Sequence, residues 1–218
     1  GTQALIDGCR ALPRPPRFVF SSTVAVFGGP LPAEVPEDLA LRPESTYGTT
    51  KAIAELLVLD ASRRGAIDAV VCRVPTVAVR PGRPNSALSS FVSGIIREPL
   101  AGLASTCPVP LDTRLWVSSP ETTTANLAHA GSMRTDALGT GRAVNLPGIT
   151  VTPAQMLDSL ERAAGAGTRA LVTVAPDPTL GAIVGSWPGG FDVSRARAMG
   201  FVADRDADAL VAGFIAHR

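Results

Sequence analysis

Apolar residues along this chain gather in short unbroken runs and in longer periodic stretches, separated by segments rich in proline and glycine. Arg17-Phe18-Val19-Phe20 and Ala69-Val70-Val71-Cys72-Arg73-Val74 are the clearest short runs. Runs of this kind read as strands buried on both faces, as in a parallel sheet, so strands are expected over 17–21 and 69–74, the second ended by Pro75. A helix over 2–12 is closed by Pro13-Arg14-Pro15-Pro16, because proline cannot continue it. The next helix, 46–64, is capped by Ser45 or Thr46. It carries Ile53, Leu56, Leu57, Val58 and Leu59, and a helix apolar on more than one side must be buried on more than one side. Helices are also expected over 87–97, 121–134 and 153–164, with Thr152 as cap and Pro153 in the first turn of the last. A strand over 142–146 and a short capped helix closed by Gly200 complete the pattern.

Composition narrows the class. With 45% hydrophobic and 18% charged residues, the 218-residue chain is that of a soluble globular protein with a sizeable core. Net charge is +1 and no basic run exceeds two residues, so there is no electrostatic footprint for nucleic acid or an anionic membrane. No apolar stretch approaches the roughly 20 residues needed to cross a bilayer. The first residues, Gly1 to Gly8, lack the basic start and apolar centre of a secretion signal, which leaves the cytoplasm as the default location. Cys9, Cys72 and Cys107 are widely separated and read as small buried hydrophobes rather than a disulfide or zinc framework. His129 and His217 read as structural or surface residues, and no metal site is expected.

Candidate chemistry lies in Tyr47-Gly48-Thr49-Thr50-Lys51, downstream of Ser21-Ser22-Thr23 at the end of the first strand. Residues i and i+4 of a helix share a face, so the Lys51 ammonium can sit near the Tyr47 phenol and stabilise its ionised form, a base for carbinol chemistry. Polar residues at the carboxyl end of a parallel strand face the ligand crevice, which places Thr23 to hold a substrate hydroxyl. The segment 28–44, rich in proline and glycine and carrying Glu34, Glu37 and Asp38, is a loop over the mouth of that site.

In their order, Phe18 to Gly28, the Tyr-x-x-x-Lys and Cys72-Arg73-Val74-Pro75-Thr76 resemble the extended short-chain dehydrogenase/reductases, the NAD-dependent sugar epimerase/dehydratase group. The resemblance implies an α/β fold, a Rossmann-type doubly wound parallel sheet with a smaller C-terminal substrate-binding region. Residues 1–80 would belong to the dinucleotide-binding domain and 81–218 to the substrate region, interleaved with the cofactor sheet. Thr23, Tyr47 and Lys51 take the catalytic positions. Ser21, Ser22, Tyr47, Lys51, Val74, Pro75 and Thr76 map to the cofactor, and Ser22, Thr23 and Thr76 to the substrate. The family opens with a strand, a glycine-rich turn and a helix. This chain starts at Gly1-Thr2 as if inside a later helix, so the first half of the sheet and the pyrophosphate cradle are expected to be missing, and the chain alone is expected not to bind NAD tightly or to turn over. The helix from residue 46 packs on its own copy in the family, which implies a homodimer; burial by the missing segment is the alternative.

Asp112-Thr113-Arg114-Leu115-Trp116-Val117 resembles the family's Arg-x-aromatic strand, but continues as Ser118-Ser119-Pro120-Glu121 instead of His-Val-x-Asp, which points away from a nucleotide-sugar. Val24 stands where a dehydratase carries an acid, which disfavours dehydration. The stretch Arg73 to Asn85, with Ser89-Ser90-Phe91 and Gly94 to Leu100, resembles the D-erythronate dehydrogenases, which oxidise the C2 hydroxyl of a four-carbon sugar acid with NAD. Asn85, Ser90 and Arg97 then offer polar contacts, and Arg114 or Arg97 takes the carboxylate through its planar fork. The other readings are a UDP-sugar 4-epimerase and a non-catalytic dinucleotide-binding relative. NADP is the alternative cofactor, because the discriminating residue would precede Gly1.

Overall fold

The computed structural model describes residues 1–83, 85, 87–139 and 141–217, which fall into two compact units. Residues 1–75, 123–147 and 191–202 form the first; 76–122, 148–190 and 203 onward form the second. In chain order the helices are α1 (Thr2–Arg10), α2 (Thr46–Arg63), α3 (Ser90–Leu100), α4 (Pro120–Ser132), α5 (Pro153–Ala164), α6 (Ala166–Arg169), α7 (Pro178–Gly185), α8 (Ser194–Ala198) and α9 (Ala207–Ala216). The strands are β1 (Arg17–Thr23), β2 (Asp68–Val74), β3 (Thr76–Val77), β4 (Ser105–Cys107), β5 (Leu115–Ser118), β6 (Ala143–Asn145), β7 (Ile149–Val151) and β8 (Val172–Val174). Among the described residues no helix is long and apolar enough to cross a membrane.

The first unit is built on a parallel sheet in the order β1-β2-β6. The central strand β2 is buried from Ala69 to Val74, which is why it reads as an unbroken apolar run rather than an alternating one. On one face Ile6 of α1 and Val58 and Ala61 of α2 close over Ala69 and Val71. Burial pushes the Cys72 thiol up to about 12, so it stays a neutral hydrophobe. On α2, Val58 is fully buried, whereas Ile53 and Leu56 remain 55% and 59% exposed, so the second apolar side read from the sequence is uncovered in this chain. At the entry to the sheet, Arg17 donates to the carbonyls of Ala130, Gly131 and Met133, capping the end of α4, and pairs with Asp68 at 3.0 Å. Asp68 also accepts from Thr135 and Arg142.

In the second unit β5 lies between β3, which is parallel to it, and antiparallel β7, while β4 pairs with β8. Val92, Ile95 and Ile96 of α3 pack with Met156, Leu157 and Leu160 of α5 and Leu210 and Val211 of α9 in one core. Thr152 and Gln155 form a capping box that starts α5.

Several elements depart from the pattern read in the sequence. Strand β1 extends through Thr23, so Ser22 and Thr23 lie in the ladder rather than after it. Helix α3 begins at Ser90, not 87, because the Asn85 side chain accepts from the Ala87 backbone N–H and holds a turn there. The first compact unit runs to Pro75, and the second begins at Thr76.

Asp68 supplies a pH-dependent stability. Burial alone would raise its carboxyl, but hydrogen bonds from Thr135, Arg17 and Arg142 and the charge of Arg17 outweigh it and hold it below the ordinary carboxylate range. A carboxylate lowered by folding contributes above its unfolded pKa, and that contribution is lost as pH falls through the folded value. Replacing Asp68 by Asn should therefore lower stability by about 1–3 kcal/mol near neutrality. Urea titrations of the two proteins should converge as the pH is taken down through the carboxylate range; a constant difference would contradict the linkage.

Candidate active site

Three short-range features of the first unit bring the candidate side chains together. Thr23 ends β1 and caps a 3₁₀ turn over Val24–Val26, its hydroxyl oxygen accepting from the Ala25 N–H at 3.2 Å. Ser45 starts α2, its side chain accepting from the Gly48 N–H at 3.0 Å. The Ala25 carbonyl oxygen then lies only 2.2 Å from where a Cβ on residue 48 would stand. Only glycine permits that approach, and it seats the turn that follows Thr23 against the helical turn that carries Tyr47.

Lys51 reaches back from α2 to the strand. Its Nζ donates to the Ser21 carbonyl at 2.7 Å and lies 5.2 Å from the Phe20 ring centre and 6.0 Å from that of Tyr47. A carbonyl and two ring faces thus hold the ammonium beside the phenol. Tyr47 itself is 56% exposed, open to a ligand. Thr23, Tyr47, Lys51 and Ser21 therefore share one end of the sheet.

Ser22 is turned elsewhere. Its hydroxyl is buried and donates at 2.8 Å to Glu55, not to an open crevice. Glu55 is fully buried and takes Nη2 and Nε of Arg73 at 2.6 and 3.0 Å. The remaining arm of Arg73 donates to the Glu37 carbonyl at 2.9 Å, and its guanidinium lies 4.9 Å from the Phe27 ring centre. Glu37 in turn accepts from the Asn145 N–H and pairs with Arg195, and Asp192 N–H bonds Val35, so the loop 28–44 is tied down at several points. Glu55 escapes a motif search because it lies outside Tyr-x-x-x-Lys. The available signal was a lone acid at i+4 from Lys51 amid Ala52, Ile53, Ala54, Leu56 and Leu57.

Val74 stands beside Thr23 as its partner in the ladder, and Pro75 follows. The remaining candidates lie in the second unit. Thr76 opens β3 opposite Val117. Asn85, Ser90 and Arg97 line a single cleft of about 390 Å³ with Phe91, Gly94 and Glu98. Within it, the Ser90 hydroxyl accepts from the Asn85 N–H, and Arg97 donates to the Arg80 carbonyl and to Glu98 at 2.9 and 2.6 Å. Arg114 lies outside that cleft, is exposed, and makes no hydrogen bond among the described residues.

The profile of the NAD dependent epimerase/dehydratase family matches residues 1–119. The D-erythronate dehydrogenase of Cupriavidus necator is 47% identical over 98% of this chain and 66% of its own length. That of Haemophilus influenzae is 43% identical over 98% of the chain and 68% of its length. A nucleoside-diphosphate-sugar epimerase structure from Agrobacterium tumefaciens superposes with a TM-score of 0.94 at 37% identity, covering 99% of this chain and 64% of that one. The L-threonine 3-dehydrogenase structure from Trypanosoma brucei, at 22% identity and a TM-score of 0.87, covers 99% of this chain and 66% of its own and shares the fold, a Rossmann-like α/β arrangement. The chain thus spans about two thirds of the length of the relatives it matches.

Gly48→Ala tests the close approach directly. The added methyl would meet the Ala25 carbonyl, forcing the start of α2 off the turn. A loss of at least about 1–3 kcal/mol is expected from such overpacking, visible as a lower Tm; a variant with unchanged Tm would show that the two segments do not touch.

Proposed function

Because the chain belongs to the NAD dependent epimerase/dehydratase family, we propose that it carries the proton-transfer machinery of an NAD-dependent dehydrogenase that oxidises a secondary hydroxyl of a small sugar acid, the C2 hydroxyl of D-erythronate or a close analogue. The observation that carries this reading is the Lys51 ammonium, fixed by the Ser21 carbonyl and set beside the exposed ring of Tyr47.

The residues present suit a nicotinamide dinucleotide. β1 and β2 end side by side at Thr23 and Val74, and parallel sheets hold dinucleotides outside the carboxyl ends of their strands. The phenol of Tyr47 and the remaining N–H donors of Lys51 match the hydroxyls of a ribose, and we assign Ser21, Val74, Pro75 and Thr76 as further cofactor contacts. A bound nicotinamide supplies the acceptor for the hydride that leaves the carbinol carbon. Tyr47, ionised, takes the hydroxyl proton, and Lys51 offsets the negative charge on the phenol oxygen. The Thr23 oxygen accepts from the Ala25 N–H, and its hydroxyl donates to the substrate oxygen, which it holds as the alcohol becomes a carbonyl. General acid-base assistance of this kind is worth on the order of 10²- to 10⁴-fold.

For the substrate we assign Asn85, Ser90, Thr76 and the two arginines. Arg97 is engaged by Arg80 and Glu98, which makes Arg114 the better partner for a carboxylate. A second reading, a nucleotide-sugar epimerase, is supported by the likeness to the Agrobacterium structure. The cofactor we assign is NAD, with NADP as the alternative. The exposed Ile53 and Leu56 of α2 support a homodimer through that helix.

With full-length protein and NAD, D-erythronate should give rising NADH absorbance. Tyr47→Phe should lower turnover by about 10²-fold or more with little change in Tm, since the ring is exposed. Interconversion of a UDP-sugar without net NADH would favour the epimerase, and full turnover by Tyr47→Phe would reject the role of the phenol. Sedimentation at micromolar concentration should give a dimer that Leu56→Glu converts to monomer; a monomeric parent would exclude the α2 interface.

A further inference from the structure

The chemistry proposed above uses Thr23, Tyr47 and Lys51, yet the same helix carries a charge that it does not use. Tyr47, Lys51 and Glu55 follow one another at i, i+4 and i+8 along one side of α2. Lys51 holds the Ser21 carbonyl and Glu55 holds the Ser22 hydroxyl, so successive residues of β1 are gripped by successive turns of one helix. The grip has a base. Ser22, Arg73 and Asn145 are direct partners across the three parallel strands, and Arg73 fastens both arms of its bond to the same oxygen of Glu55, leaving the other oxygen for Ser22.

An ion pair removed from water is a poor source of stability, because desolvation costs several kcal/mol per ion and an apolar pair of similar volume often serves a core as well. A charged pair does, however, fix direction. Carboxylate and guanidinium meet in few geometries, whereas apolar side chains allow a helix to slide or rotate by fractions of an ångström. A displacement of about 1 Å at a reacting centre can cost on the order of 10²-fold in rate.

We propose that Glu55, anchored by Arg73, is a positioning residue for the reaction: through Ser22 it fixes the end of β1 against α2, and so sets the placement of the Thr23 hydroxyl relative to Tyr47 and Lys51. This rests on the dehydrogenase reading above. It assigns Ser22 a role distinct from holding a ligand. If the Ser22 hydroxyl held substrate or cofactor, its removal would raise KM; if it positions the strand, its removal lowers kcat and leaves KM near the parent value.

The experiment uses full-length protein with NAD and the substrate on which the parent turns over. Ser22→Ala removes one bond to Glu55 and leaves the ion pair in place; Glu55→Gln keeps the shape and removes the charge. Each is assayed well below its own Tm, with Tyr47→Phe beside it. The expected result is a fall in kcat of about 10-fold or more in Ser22→Ala, with KM for substrate and NAD within about threefold, and an equal or larger fall in Glu55→Gln if it folds. A kcat within about twofold of the parent in folded Ser22→Ala overturns the proposal, as does a change confined to KM. If Ser22→Ala keeps its turnover while Tyr47→Phe loses it, the positioning role fails and the catalytic reading stands. Should Tyr47→Phe retain full turnover, the catalytic reading fails and the positioning role falls with it.

Discussion

Close approach of the Ala25 carbonyl to Gly48 governs the end of the first unit where Thr23, Tyr47 and Lys51 lie. Ala25 is bonded through its N–H to Thr23, and Gly48 is the chain neighbour of Tyr47. A single van der Waals approach, available only to a residue without a Cβ, therefore joins the hydroxyl on the strand to the phenol on the helix. Lys51 and Glu55 extend the same seam downward, each taking hold of the strand by a polar bond. Apolar packing of Val58 and Ala61 on the sheet supplies adhesion below them without fixing the angle.

The polar layer under the site is built at some expense in stability. Glu55, Arg73, Ser22 and Asn145 are all buried, and one donor, Asn145 Nδ2, has no partner among the described residues. Such groups are costly to leave unsatisfied, and here they are concentrated at the end of the sheet that carries Thr23 and faces Lys51. The segment 28–44, read from the sequence as a loop over the mouth of the site, is drawn into the same layer through Glu37.

Periodicity and punctuation located the long elements well, because their signals are local. Pro75 ends β2, Thr152 and Pro153 start α5, and Tyr47 and Lys51 fall on one face of α2 for reasons contained within a few residues. Long-range partners left no such trace. Nothing near Glu55 announces Arg73 or Ser22, and a charge in an apolar helix reads as a surface residue until its partner strand is in place. The same limit applies to 165–190, where α6, β8 and α7 are short and β8 exists only by pairing with β4. Asn85, matched to the substrate by the resemblance, carries a further local bond that the sequence did not announce: its side chain accepts from the Ala87 N–H before α3.

The path of the backbone between the two units carries its own consequence. It passes from one to the other at 75/76, 122/123, 147/148, 190/191 and 202/203. The central strand of the first sheet finds its β6 neighbour only after an excursion through the second unit. Neither unit can thus be excised by a single proteolytic cut or finished on a ribosome before the other has largely emerged. Assembly must proceed by distant pairings, which favours slow, concerted folding over stepwise addition of independent modules.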